Sequence, residues 1–212
     1  MTERPILFSA PMVRALLDGS KTQTRRIMKP QPFGNQTDDQ ARARLIELGA
    51  LGPDESLTDL VNGARNAGFI DAPSPYGQPG DQLWVRESHA PRADCMGGWD
   101  RSKLEGLNYM EADELCYQAT TTPSDWVDRW RPSIHMPRWA SRITLEITDV
   151  GVERLQDISR GDAMAEGCPF PNMAKGDDPR KWYADLWEQI NGAGSWGLNP
   201  WVWVIEFKVV KP

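Results

Sequence analysis

The chain has 212 residues, of which 40% are hydrophobic and 25% charged, and its formal net charge is -6 at pH 7. This composition excludes general disorder and predicts a folded core that needs no disulfide or metal support. The acidic balance argues against a protein that coats nucleic acid, and no apolar run is long enough for a membrane span or a secretory signal, so we expect a cytoplasmic protein.

The first thirty residues predict a strand, a helix and a second strand. The run "ILFS" at residues 6–9 is typical of a short strand, and "PMVRALLDG" predicts a helix with Pro11 in its first turn and Gly19 after its end. The following "KTQTRRI" has β character. The apolar stripe expected for the helix consists of Met12, Val13, Leu16 and Leu17.

Two irregular segments, at about residues 31–78 and 91–130, separate these elements from the rest. The first contains one short helical stretch, "DDQARARLIELGALG", and then a run rich in Gly, Pro and Asn. It has too few apolar residues for its own core, so we expect insertions in one domain spanning residues 1–212. The second holds a strand-like "LCYQAT" and two tryptophans, Trp126 and Trp130, which would favour a protein-binding surface if exposed.

The stretch "GDQLWVRESH" predicts a turn and a strand in which Glu87 shares a face with Leu83 and Val85. A carboxylate on an apolar face has two interpretations. Glu87 either faces water at the strand end or is a buried acid paired with a base such as Arg26.

The last seventy residues predict two strands and two helices. "SRITLEITDVGVERL" and "NPWVWVIEFKVVKP" alternate as strands do, and "ISRGDAMAEGC" predicts a short helix from Ser159 to Gly167 with Glu166 in its last turn. Because strands outnumber helices without β–α alternation, we expect an α+β fold, a small mixed or antiparallel β-barrel with flanking helices. In the helix "DDPRKWYADLWEQINGAG", the expected apolar face is Trp182, Leu186 and Ile190.

Two basic stretches stand out from the acidic background. "LLDGSKTQTRRIMKP" is followed by no acidic residue until Asp38, and "RWRPSIHMPRWASRITL" at residues 129–145 contains none. If the two stretches meet, they form one positive pocket for a small anionic or nucleotide-like partner; otherwise they are two solvated faces.

These motifs, taken in order over residues 6–30, 79–89, 138–168 and 196–210, resemble an ASCH domain, a PUA-like β-barrel family. "PSIHMPRWASRI" and "NPWVWVIEF" further resemble a longer subgroup common in phage and prophage genomes, which would place the protein in a bacterial host cytosol. The resemblance implies a cleft that accepts a nucleobase, a nucleoside or RNA.

Some small bacterial members of that family are amidohydrolases acting on N(4)-acetylcytidine, and the resemblance implies their catalytic residues at Lys21, Thr24 and Glu166. These residue types suit an amidohydrolase, because a threonine hydroxyl becomes a good nucleophile only when a base removes its proton. Lysine can be that base only when burial or neighbouring cations such as Arg25 and Arg26 depress its pKa. On an ideal strand, however, residues 21 and 24 point to opposite faces, so convergence requires a turn or bulge between them.

The remaining candidates concern ligand binding. In one interpretation, phosphate or ribose is bound by His135, Arg138 and Arg142, and Trp139 stacks on a base. In the other, Trp139 belongs to the core and the two arginines form hydrogen bonds with the ends of neighbouring helices. Three cysteines without a C-x-x-C pair and two histidines predict no metal site, and no cofactor is expected.

The alternatives to a metal-independent amidohydrolase are a non-catalytic reader of RNA or modified DNA and a phage accessory protein with an unidentified protein partner. The predicted binding residues are Ser9, Met12, Arg25, Arg26, Glu87, His135, Arg138, Trp139 and Arg142.

Overall fold

A mixed five-stranded sheet organises the protein, whose computed structural model describes residues 1–34, 36–67, 73–91, 115–121, 130–169 and 178–211. The strands are β1 (Glu3–Leu7), β2 (Gln23–Ile27), β3 (Gln82–Arg86), β4 (His89–Pro91), β5 (Leu115–Tyr117), β6 (Thr144–Arg154) and β7 (Trp201–Lys211). The strand order in the sheet is β1-β3-β6-β7-β2, with β1 and β3 parallel and the other pairs antiparallel. A separate antiparallel pair is formed by β4 and β5.

Five α-helices accompany the sheet in the described ranges, so the predicted α+β class is confirmed. β1 and β2 are the outer strands, yet they come within reach of one side chain, because the Arg26 guanidinium donates to the Leu7 carbonyl at 2.7 Å. The sheet therefore curves like a barrel whose two edges are bridged by a side chain. The helices are α1 (Ala10–Leu17), α2 (Asp38–Glu47), α3 (Leu57–Asn66), α4 (Arg160–Ala165) and α5 (Pro179–Asn191).

The main core lies on the inner face of this curved sheet. Alternate residues of β3, β6 and β7 are buried there, as the period-two pattern predicts. Three of the four stripe residues of α1 pack against them, while Leu17 is 37% exposed. The first predicted insertion contributes to the same core through Leu51, Leu57 and Val61.

Two helices differ from the sequence predictions. α3 lies in the part of the first insertion that the sequence predicts to be irregular, but Ser56 caps it and Leu57 and Val61 are buried at i and i+4. In α5 the buried residues are Pro179, Tyr183 and Trp187, while Trp182 and Leu186 of the predicted face are half-buried against the core and only Ile190 is exposed, at 59%. The Tyr183 and Trp187 rings are buried in a second core with Leu155 and Ile158, because large aromatic rings gain most from the burial of their apolar surface.

Candidate functional site

A cleft of about 420 Å³ opens between the β1–α1 junction, β2 and α5. Lys21, Thr24 and Glu166 lie in its lining, and so do four of the predicted binding residues, Ser9, Met12, Arg25 and Arg26. The structure therefore brings together all three residues implied as catalytic. We refer to this space as the cleft.

A local strand-like pairing places Lys21 against Glu166. The two residues form an isolated antiparallel bridge, and the Thr22 amide donates to the Ala165 carbonyl at 2.8 Å. Gly167 leaves α4 at φ +95°, where an added Cβ would lie 2.8 Å from the Ala15 Cβ. Only glycine allows the chain to pass this close to α1.

The Lys21 ammonium is fixed by two hydrogen bonds, to Glu166 Oε2 at 2.6 Å and to the Glu166 carbonyl oxygen at 2.8 Å. Both residues are 2% exposed. Burial lowers the pKa of Lys21, the Glu166 carboxylate opposes this shift, and the positive charges of Arg26 and Arg25 reinforce it. The site thus biases a lysine toward the neutral amine that a general base requires.

Thr24 lines the same cleft as Lys21, although β2 starts only at Gln23 and Lys21 therefore stands outside the regular strand. Between them, the Thr22 carbonyl accepts from the Phe207 amide at 2.9 Å. Thr22 itself is exposed, whereas Thr24 is 4% exposed. Residues 21 and 24 thus line one cleft although they stand three positions apart.

Arg25 lines the cleft, but its guanidinium contacts carboxylates, among them that of Glu166. Its Nη1 lies 3.2 Å from Glu166 Oε1, and its Nε donates to Glu153 Oε1 at 2.6 Å. Asp162 Oδ2 is 3.6 Å from Arg25 Nη2. Burial raises the pKa of Glu153, and Arg25 opposes that shift. These contacts connect the Arg25 guanidinium to three carboxylates, one of which is that of Glu166.

Arg26 is the cleft cation without an acidic partner among the described residues. Its guanidinium carbon lies 5.2 Å from the centre of the Phe8 ring, and Lys21 Nζ lies 5.6 Å from the same centre. Such a stacked guanidinium presents a flat, charged surface to a ligand.

Glu87 is indeed a buried acid, but its partner is Arg142 and the suggested pairing with Arg26 was wrong. Arg142 Nε and Nη2 lie 2.9 and 3.1 Å from the two oxygens of Glu87, which is 2% exposed. The guanidinium also stacks on Tyr117 at 4.1 Å. The bidentate fork satisfies both carboxylate oxygens, so the pair is structural and lies outside the cleft lining.

The second basic stretch reaches the cleft through Ser133, not through its predicted binding side chains. Arg138 pairs with Glu3 at 2.9 Å on the surface, and Trp139 is 37% exposed. His135 is exposed as well. His135, Arg138, Trp139 and Arg142 are absent from the lining of the cleft.

Sequence reasoning missed the α5 wall of the cleft. The cleft lining from α5 has helical spacing and consists of Tyr183, Leu186, Trp187 and Ile190. Burial raises the pKa of Tyr183 well above its usual value, with the Glu166 charge adding to the shift, so the phenol keeps its proton. The aromatic content of "KWYADLWEQI" was the available signal.

Some predictions fall outside the described residues, among them Trp126 and most of the segment at 91–130; Trp130 is half-buried. Among the residues described, no three His, Cys, Asp or Glu side chains group as a metal site. Within the same ranges, no helix is both long and apolar enough to cross a membrane.

No protein-family model and no curated protein matches the chain. A search of solved structures finds similarity to the high-resolution crystal structure of an ASCH domain from Lactobacillus crispatus JV V101, at 13% sequence identity and a TM-score of 0.40. The alignment covers 100% of this chain and 81% of that one. That solved structure bears the name of the family that the sequence motifs resemble.

Proposed function

We propose that the cleft binds a cytidine-type nucleoside and that Lys21, Thr24 and Glu166 hydrolyse an N-acyl amide on its base. The observation that carries this proposal is the ion pair between Lys21 and Glu166. Each of the two residues is 2% exposed, and both line an open cleft together with Thr24. Buried ion pairs contribute little net stability compared with apolar residues. Their presence in a cleft, with a lysine whose pKa is depressed, is typical of a reactive site.

The residues support a two-step reaction. The neutral Lys21 amine accepts the Thr24 hydroxyl proton as Oγ1 attacks the acyl carbon. The carbon–nitrogen bond then breaks, and the Lys21 ammonium, oriented by Glu166, returns the proton to the departing base nitrogen. Water attacks the resulting Thr24 ester, the carboxylic acid leaves, and the threonine hydroxyl is restored.

The walls of the cleft fit the two halves of such a substrate. Arg26 over Phe8 offers a guanidinium plane on which a base can stack. Leu186 and Ile190 provide an apolar surface for the acyl group on the opposite wall. The protonated Tyr183 phenol is a hydrogen-bond donor next to them.

The test is an ultraviolet-absorbance assay with N(4)-acetylcytidine and bulkier N(4)-acylcytidines. We expect Thr24→Ala to reduce turnover by at least about a thousandfold, since removing the nucleophile of a serine protease lowers kcat by a factor on the order of a million, and Lys21→Ala to do likewise. Thr22→Ala is the matched control, because this exposed threonine lies two residues away and is outside the cleft lining. Full activity of a folded Thr24→Ala protein would refute the nucleophile assignment.

One observation favours a second candidate, a non-catalytic reader of RNA or modified DNA. Lys21 Nζ makes both of its hydrogen bonds to Glu166, an arrangement that also serves to hold the cleft wall in place. This candidate predicts salt-dependent binding of nucleic acid without turnover of any acylcytidine.

A further inference from the structure

Two buried residues in the cleft lining, Thr24 and Tyr183, carry hydroxyl groups without a hydrogen-bond partner. They are 4% and 3% exposed, and within the described ranges neither hydroxyl forms a hydrogen bond. Six other side-chain polar atoms in these ranges are fully enclosed without a partner, but the two hydroxyls are not among them. A hydroxyl that is neither bonded nor enclosed borders open space, and for Thr24 and Tyr183 that space is the cleft.

The other buried side-chain donors of the cleft lining are engaged or shut off. Lys21 and Arg25 donate to carboxylates, and the indole N–H of Trp187 is enclosed by protein atoms. Among the buried side chains that the structure describes in this lining, only Thr24 and Tyr183 have a donor that is open to a ligand and engaged with nothing else.

The ring of Tyr183 is held by aromatic neighbours and by a guanidinium. Its centre lies 6.2 Å from the ring centres of both Trp187 and Trp196, and 6.0 Å from Arg25 Cζ. Arg25 Nη1 is in turn 3.2 Å from Glu166 Oε1. The Tyr183 ring therefore stands in a fixed position beside the buried ion pairs, and burial, which raises the pKa of its hydroxyl, keeps that group protonated.

We propose that the Tyr183 hydroxyl stabilises the negative charge that forms on the acyl oxygen when Thr24 attacks. This inference rests on the proposed function. Leu186 and Ile190, which would contact the acyl group, lie three and seven residues after Tyr183 on the same face of α5. A fixed donor shielded from water stabilises a developing oxyanion far more than it stabilises the neutral carbonyl.

The electrons balance through a tetrahedral intermediate. As Thr24 Oγ1 bonds to the acyl carbon, the π pair of the carbonyl moves to its oxygen, which accepts a hydrogen bond from Tyr183. That pair returns when the carbon–nitrogen bond breaks, and the electrons of the broken bond leave with the base nitrogen, which Lys21 protonates. Tyr183 keeps its own proton throughout, and the same contact serves when water attacks the Thr24 ester.

The test measures kcat and KM of Tyr183→Phe with N(4)-acetylcytidine. We expect kcat to fall by about a hundredfold or more, the usual effect of removing one oxyanion donor, while KM changes little. Because the hydroxyl has no protein partner to lose, the urea midpoint of unfolding should not change. Tyr76→Phe is the matched control, because it removes the hydroxyl of a half-buried tyrosine outside the cleft lining and should keep the wild-type kcat.

The outcomes separate this inference from the proposed function. Wild-type kcat in Tyr183→Phe would overturn the oxyanion role and leave the hydrolase in place. A higher KM at constant kcat would overturn it as well, because the hydroxyl would then bind substrate and transition state equally. A lower urea midpoint would reveal a structural bond of the hydroxyl and contradict its open position. If the wild-type protein turns over no acylcytidine, the hydrolase and the role of Tyr183 are both refuted.

Discussion

At the scale of single residues, the reactivity of Lys21 depends on a balance of charges around one amine. Burial and the cations Arg26 and Arg25 lower its pKa, and Glu166 raises it. Arg25 is itself occupied by Glu166 and Glu153, whereas Arg26 has no acid partner in the described residues. Replacing Arg26 therefore changes the pKa of Lys21 while the ion pairs among Lys21, Arg25 and Glu166 stay in place.

We predict that Arg26→Gln moves the rising limb of the pH–rate profile for N(4)-acetylcytidine to higher pH. Removing a neighbouring positive charge raises the pKa of Lys21, so a more alkaline solution is needed to form the neutral base. Measuring kcat across the alkaline range would detect the shift. The exposed Lys29→Gln variant removes an equal charge outside the cleft and should leave the limb in place. A shift to lower pH in Arg26→Gln would contradict Lys21 as the base.

At the scale of elements, the end of α4 sets the position of Glu166. A capping box between Ser159 and Asp162 starts this short helix, and Gly167 ends it by turning the chain past Ala15. The pairing of Lys21 with Glu166 depends on that close approach, since a Cβ added at Gly167 would also lie 3.3 Å from the Lys21 Cβ.

We predict that Gly167→Ala lowers the free energy of unfolding by about 2 kcal/mol, because the residue has positive φ and no room for a Cβ. Urea denaturation measures the loss. Gly161→Ala is the matched control: it lies inside α4, its added Cβ would be 3.6 Å from Ser159 Oγ, and it should stabilise the protein by about 0.5 kcal/mol. Equal stabilities of the two variants would show that the approach of Gly167 to Ala15 is not tightly packed.

At the scale of the whole molecule, α3 completes the sheet that carries the site. β3 pairs with β6 only at Thr144–Glu146, which leaves the rest of that edge of β6 without a strand partner in the described residues. Asn62 accepts from the Val152 amide at 2.9 Å and donates to the Val152 carbonyl at 2.8 Å. Arg65 donates to the Val150 carbonyl. Side chains of α3 thus satisfy the backbone that a neighbouring strand would have paired.

We predict that Asn62→Ala destabilises the protein by about 2 kcal/mol, because two backbone groups of β6 lose their partners. Asn66→Ala, exposed on the same helix, should change the stability by less than about 0.5 kcal/mol. Both proteins should still unfold in a single transition, since the predicted insertion shares the core of the sheet. Separate transitions for the segment and the sheet would contradict a single domain.

Local patterns in the sequence were sufficient for part of this structure. The buried alternation of β6 and β7 and the capping signals of α4 predicted those elements correctly, because each depends on neighbours along the chain. The buried face of α5 and the partner of Glu87 depend on packing between distant segments, which no local pattern encodes. Lys21 and Thr24 line one cleft, which the alternation of an ideal strand does not predict.

The most direct measurement is peptide mass spectrometry of the protein quenched during turnover of an N(4)-acylcytidine. Our account predicts that the acyl group is found on the peptide containing Thr24, and that Thr24→Ala shows no modified residue there. Consumption of substrate while Thr24 stays unmodified in wild-type protein under single-turnover conditions, or no consumption at all, would contradict it.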